Sequence, residues 1–191
     1  MPGGLALAQR DATNGQPGAR TAVSGYGVPM SASIAIRPAR PDDVNAIVGL
    51  IRELAVFEQL EHLVQTDAGR LHAHLFGAQP VVEALVAEQQ GGAIVAFALY
   101  FTNYSTFLAK PGLYLEDLYV QPAARRSGLG QQLLRALARI AVERDYGRFE
   151  WSVLDWNANA IAFYEKLGAT VMPDWRICRV TGAGLSQLAG E

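Results

Sequence analysis

The sequence predicts a mixed α/β fold, a central sheet with helices packed against it. Two observations predict it. Short alternating runs rich in β-branched residues are interleaved with longer runs whose apolar residues recur at helical spacing. A glycine-containing turn then joins one of those strands to the clearest amphipathic stretch of the chain. No internal repeat interrupts this order. Half of the 191 residues are hydrophobic and 18% are charged, a balance that fills one core and leaves too little chain for a second domain of usual size.

The elements follow in order. The first 29 residues, rich in Gly, Ala, Pro and Ser, read as a disordered tail, so residues 1–30 are set apart from a single domain over 31–191. The apolar stretch Leu5 to Ala8 is too brief for a secretory signal. Met30 directly precedes the folded-looking part, and the natural start is expected there. Ser33 to Arg37 alternates as a strand, and Pro38 and Pro41 break it. Asp42 and Asp43 suit a helix start, and Val44, Ile47, Val48, Ile51 and Leu54 continue at helical spacing to about Phe57. Thr66 to Phe76 is a second helix with Leu71 and Leu75 inward. Val81 to Glu88 and Ile94 to Phe101 form a hairpin about Gln89-Gln90-Gly91-Gly92. Leu113 to Val120 is a strand ended by Pro122. The helix after the glycine turn carries the stripe Leu133, Leu134, Leu137, Ile140 and Ala141. Arg148 to Leu154 is a strand, Asn157 to Leu167 a helix closed by Gly168, and Arg176 to Val180 the last strand.

Charge and composition exclude several functions. A net charge of -2 lacks the basic face that nucleic acid requires. No apolar run approaches the roughly 18 residues that span a bilayer. Cys178 is the one cysteine, which forbids an internal disulfide and a Cys-based zinc cluster and fits a reducing, cytoplasmic compartment. It reads as a buried small residue of the last strand. His72 and His74, two apart on a helix, point to different faces and read as solvated residues, not metal ligands.

The segment Arg125-Arg126-Ser127-Gly128-Leu129-Gly130 carries the first chemistry. Glycines let backbone approach an anion, and the unpaired N–H groups and positive dipole end of the following helix bind phosphate oxygens. A tight turn into the helix would use the same glycines. Gln131 and Gln132 stand where a P-loop needs Lys and Ser or Thr, and a dinucleotide fingerprint lacks its third glycine. The anion expected is therefore a pyrophosphate bound in another way.

Taken together, LYLEDLYV, the Arg-x-x-Gly-x-Gly turn with its helix, and WSVLDWNANAIAFYEKLGA resemble the GNAT superfamily of N-acetyltransferases. The likeness is strongest to the branch of diamine (spermidine/spermine) and thialysine acetyltransferases. Ile36-Arg37-Pro38-Ala39, Leu50 to Ala55, Phe57-Glu58, Val153 to Asn157 and Trp175-Arg176 extend it from about Ile34 to Leu185. The resemblance implies a GNAT-type mixed sheet of about six to seven strands flanked by helices on both faces. It also implies acetyl-CoA as donor, direct transfer in a ternary complex, and no metal.

Roles carried over by the resemblance attach to named residues. Leu118, Tyr119 and Val120 would run along the pantetheine arm. Arg125, Arg126, Ser127, Gly128, Leu129, Gly130 and Gln131 would meet the pyrophosphate, with Arg126 standing where the family often has glycine. Asn157 is an N-cap by its position, and the family adds a cofactor contact there, with Asn159 and Ala160 in the same turn. Tyr164 lies two turns after Asn157 on the same face. A core aromatic would read the same; the family makes the matching tyrosine the general acid. Its phenol suits the protonation of a thiolate of similar basicity.

Glu116 and Asp117 are adjacent in a strand, so one of them lines a given cleft unless a bulge intervenes. The family places the first at the acceptor amine, which makes Glu116 the acceptor base and leaves Asp117 to help or to serve structure. Glu58, Glu150, Trp151, Ser152 and Trp175 suit the binding of a cationic chain, Glu58 and Trp151 also matching family substrate contacts, and a tryptophan face suits an ammonium. The expected acceptor is a small diamine, polyamine or lysine-like amino acid, with short substrates favoured because Asp174 alone is acidic between Gly168 and the last residue, Glu191. The family commonly forms homodimers. A protein or peptide amine, or a non-catalytic acyl-CoA-binding module, are the alternative readings.

Overall fold

The computed structural model describes residues 34–191. The tail, the start at Met30 and Ser33 as first strand residue lie outside them. Strand β1 (Ile34–Pro38) leads through a short 3-10 turn into helix α1 (Val44–Glu58), and α2 (Ala68–Phe76) follows. α2 starts two residues later than its periodicity suggests because the Asp67 side chain caps it, accepting from Arg70 N–H at 2.9 Å. Strands β2 (Glu83–Gln89), β3 (Ile94–Ser105) and β4 (Lys110–Val120) form a meander. Helix α3 (Leu129–Glu143) crosses to β5 (Phe149–Trp151), and α4 (Ala158–Lys166) and α5 (Ala183–Ala189) complete the described chain. As expected, Gly168 stands just past α4 with φ +91°, which its missing Cβ allows.

The sheet has the order β1-β2-β3-β4-β5, antiparallel except for the parallel β4–β5 pair. Side chains alternate across it into two cores. Leu113, Leu115, Leu118 and Val120 of β4 pack with α3 and α4 through Leu133, Leu137, Ala160 and Tyr164. Phe97, Leu99 and Tyr119 pack with α1 and α2 through Ile47, Leu50, Leu54, Leu71 and Leu75. Helices thus flank both faces. A strand buried on both sides needs no polar alternation, which is why Ile94 to Phe101 reads as one apolar run.

Three expectations need correction. The described residues form five strands, not six to seven. Arg176 to Val180 alternates like a strand but pairs with none, and a strand needs a ladder partner as well as propensity. Its Ile177 and Val180 are exposed instead, as is Trp175 just before it. Cys178 accordingly is exposed and not buried. Among the described residues, no helix is long and apolar enough to cross a membrane.

Candidate functional site

The site is built around a defect in β4. Asp117 pairs with Leu99 and Leu115 with Tyr100, so Glu116 is an extra residue with no partner across the ladder. A bulge of this kind shifts the alternation by one. Leu115 and Leu118 therefore both face the α3–α4 core, and the carboxylates between them leave that face together. The strict alternation that would have separated Glu116 from Asp117 is broken where they stand.

Charge repulsion links Asp117 to the end of α1 as well as to Glu116. Burial, and then the Asp117 charge, push the Glu58 carboxyl up to about 7. Burial, and then the Glu116 charge, push Asp117 up to about 7. Burial alone raises Glu116. Glu58 Oε1 is buried with no hydrogen-bond partner among the described residues. Mutual repulsion and desolvation both disfavour the charged forms, and a cation placed among the three would relieve both. Among the described residues, no group of His, Cys, Asp and Glu is arranged to hold a metal ion.

The same defect opens an edge. β5 pairs β4 only at Leu113 to Leu115, while β3 follows β4 to Val120. Gln121 N–H donates to the Val95 carbonyl at 2.9 Å, so alternation turns the backbone groups of Leu118 and Val120 away from β3, toward the uncovered edge. Tyr119, between them, turns its own toward β3. Its hydroxyl donates to Glu53 at 3.2 Å.

Past this edge lies a groove of about 260 Å³ lined by Val120, Ala124, Arg125, Arg126, Gly128, Leu129, Gly130, Gln131, Asn159 and Phe163. Gly128 adopts φ +78° at the head of α3, and the first helical bond there runs from Gln132 N–H to Gly128 O at 3.0 Å. The N–H groups of Leu129, Gly130 and Gln131 precede that bond and have no acceptor within the helix. The Ser127 hydroxyl donates to Ala124 O at 2.8 Å and fixes the turn, with its one proton engaged there. Arg126, exposed, sits at φ +63°, a conformation that favours glycine. Arg125 is drawn inward, donating from Nε to Val120 O at 2.9 Å.

On α4, Asn157 caps the helix as predicted, accepting from Ala160 N–H at 3.1 Å. Asn159 lines the groove and Ala160 is buried behind it. Tyr164 does not line the groove. It is 1% exposed, edge-on to Trp151 at 5.2 Å and against Phe163 at 5.5 Å. Since Phe163 is a groove wall, the phenol stands one ring behind it. Its hydroxyl is buried without a partner among the described residues, and burial raises its pKa well above the ordinary phenol range. Orphaned buried hydroxyls are rare, and this one keeps its proton at any physiological pH.

The remaining residues are not brought together with Glu58. Trp151 lies in the α3–α4 core beside Phe149 and Tyr164. Glu150 pairs with Arg148 at 2.9 Å and accepts from Asn103. The Ser152 hydroxyl is bonded to the Tyr114 hydroxyl at 2.7 Å. Trp175 is 72% exposed in an irregular segment. Sequence reading missed Ala124 and Phe163 as groove walls. Phe163 is four residues after Asn159, hence on one helical face with it, a spacing that could have signalled it.

The chain is similar in sequence and fold to known proteins. Residues 49–169 match the Acetyltransferase (GNAT) family. The chain is 38% identical to thialysine N-epsilon-acetyltransferase of Mus musculus, covering 84% of this chain and 99% of that protein. It is 37% identical to L-ornithine N5-acetyltransferase NATA1 of Arabidopsis thaliana, over 80% of this chain and 86% of the relative. An integron cassette protein from the mobile metagenome of V. cholerae superposes with a TM-score of 0.70 at 26% identity, covering 83% of this chain and 99% of that one.

Proposed function

The chain belongs to the GNAT family of acetyltransferases, and from that premise we propose that it acetylates a primary amine of a short diamine or lysine-like amino acid, with acetyl-CoA as donor and both substrates bound at once. The convergence of Glu58, Glu116 and Asp117 beside the open edge of β4 carries this reading. The names of the thialysine and ornithine relatives support the acceptor class.

The residues present fit the donor. The N–H groups of Leu129, Gly130 and Gln131, with Arg126, would hold its pyrophosphate. The outward backbone of Leu118 and Val120 would hold its pantetheine arm, and Asn159 of α4 would border it, with Asn157 capping that helix. Acetyl-CoA supplies the acetyl group as a thioester. The carboxylates draw in the acceptor ammonium, and Glu116 then accepts a proton from it, directly or through water. Its raised pKa makes it a stronger base than an ordinary glutamate. Tyr164, which stands behind Phe163 and not on the groove wall, would serve as the proton donor in this reading only with its Oη reached past that ring by the departing sulfur. Cys178 lies exposed in the irregular segment after α4, where it plays no part.

A homodimer completes the proposal. Val171, Met172, Trp175, Ile177, Val180, Leu185 and Leu188 are exposed in one terminal segment, and an apolar surface of this kind seeks a second copy. Light scattering at micromolar concentration tests it, and a monomer rejects it. We place the protein in the cytoplasm, the compartment that its exposed thiol suits.

The enzymatic test is thiol release from acetyl-CoA with thialysine, ornithine, putrescine and spermine. The three short amines should turn over, and Tyr164→Phe and Glu116→Gln should each lose about 10²-fold or more in turnover with acetyl-CoA affinity kept within about twofold. Turnover confined to spermine rejects the acceptor class. Full activity of both variants rejects the roles.

A further inference from the structure

Arg125 stands where the two halves of the site meet. Its Nε holds the Val120 carbonyl of β4. Its guanidinium carbon lies 5.5 Å from the ring centroid of Tyr119 and 5.7 Å from that of Phe57, on the last turn of α1. The same residue lines the groove at the glycine turn. Phe57 directly precedes Glu58, the carboxylate whose Oε1 has no partner among the described residues. Glu53, one turn earlier on α1, accepts from Tyr119 Oη and from Gln121 Nε2 at 2.8 Å. The end of α1 is thus fastened to β4 through Glu53 and reaches the groove through Arg125.

We propose that Arg125 is a positioning residue that couples anion binding in the groove to the cation pocket at Glu58, so that each substrate tightens the other. The proposal rests on the acetyl-CoA site described above and deepens it. Stacking against two rings fixes the plane of the guanidinium, and among the described residues no carboxylate forms an ion pair with it. A phosphate oxygen meeting its terminal N–H groups supplies the missing charge and holds the plane still. The Phe57 ring then has one seat, and Glu58 beside it is held toward Asp117. Coupling of this kind is reciprocal: a cation at Glu58 stiffens the same turn and favours the anion.

The test is calorimetric titration of the full chain with putrescine, in the absence and presence of saturating CoA, which lacks the acetyl group and so permits no turnover. In the wild type CoA should tighten putrescine by about tenfold. Phe57→Leu removes the ring without touching the groove. It should keep CoA affinity within about twofold while the tightening falls to about twofold or less, and Phe57→Tyr should restore it. If Phe57→Leu does not fold, Arg125→Gln replaces it, with putrescine affinity in the absence of CoA unchanged and the tightening lost. Independent binding of CoA and putrescine to the wild type, or full tightening in Phe57→Leu or Arg125→Gln, overturns the coupling while leaving the acetyltransferase reading intact. Failure of the wild type to bind CoA at all overturns that reading and the coupling with it.

Discussion

The two ends of α1 bury carboxylates under opposite conditions. At its start Asp43 is 7% exposed, yet it accepts from Arg37 at 2.6 and 2.9 Å and from Arg40 N–H at 2.6 Å. Arg37 reaches on to Glu88 of β2 at 2.6 Å. The Arg37 hydrogen bond holds Asp43 below the ordinary carboxylate range. At the end of the same helix Glu58 is repelled by Asp117, which Glu116 repels in turn, and burial pushes all three carboxylates up. A satisfied buried carboxylate fastens elements together. An unsatisfied group of them raises the cost of folding, and persists where a cationic ligand repays it.

The largest test of this contrast is stability at the satisfied end. Asp43→Asn leaves Arg37 of β1 half-paired and should cost about 3 kcal/mol in urea unfolding, while kcat at a permissive temperature stays within about twofold. Loss of activity from a variant that still unfolds at the wild-type midpoint would place Asp43 in function instead.

The second test uses the sign of the pH dependence, because the two ends must differ in it. Asp117 holds its proton up to about 7 in the folded chain and releases it near 3.8 when unfolded. The folded state binds more protons between those values, so this contribution is whole below 3.8 and fades as pH rises toward 7. Asp43 behaves oppositely. Its contribution is whole above 3.8 and is lost as pH falls below it. Asp117→Asn should therefore unfold later than the wild type at about pH 8, by about 2 kcal/mol, with the gap closing toward about pH 4. Adding putrescine at pH 8 should stabilise the wild type more than the variant. A pH-independent difference would mean that Asp117 is already paired.

How far the sequence went follows the same division between local and distant causes. The glycine turn, the α3 stripe and the Asn157 cap are set by neighbours within one turn of helix, and they stand where the residues foretold. The Glu116-Asp117 pair drew notice as two carboxylates in a strand, but their shared face depends on the ladder slip against Leu99 and Tyr100, which no local pattern encodes. Arg125 read as a phosphate ligand because its contacts with Phe57 exist only once α1 is packed. Arg176 to Val180 had strand propensity and no partner, and pairing is a property of the whole sheet.

The smallest effect concerns a charged side chain held without a protein partner at the groove. Arg126 adopts φ +63°, which costs a non-glycine residue on the order of 1 kcal/mol. Glycine removes that strain but gives the unfolded chain more freedom, so Arg126→Gly should gain only about 0.5 kcal/mol. The same change deletes a positive charge from the mouth of the anion site. CoA affinity should then fall about threefold at low salt, and the difference should vanish near about 0.5 M salt, where exposed charges are screened. Arg126→Ala provides the needed control, since it loses the charge and keeps the strain. Equal CoA affinity in all three proteins at low salt would show that the arginine points to solvent, and that the backbone N–H groups of α3 hold the pyrophosphate without it.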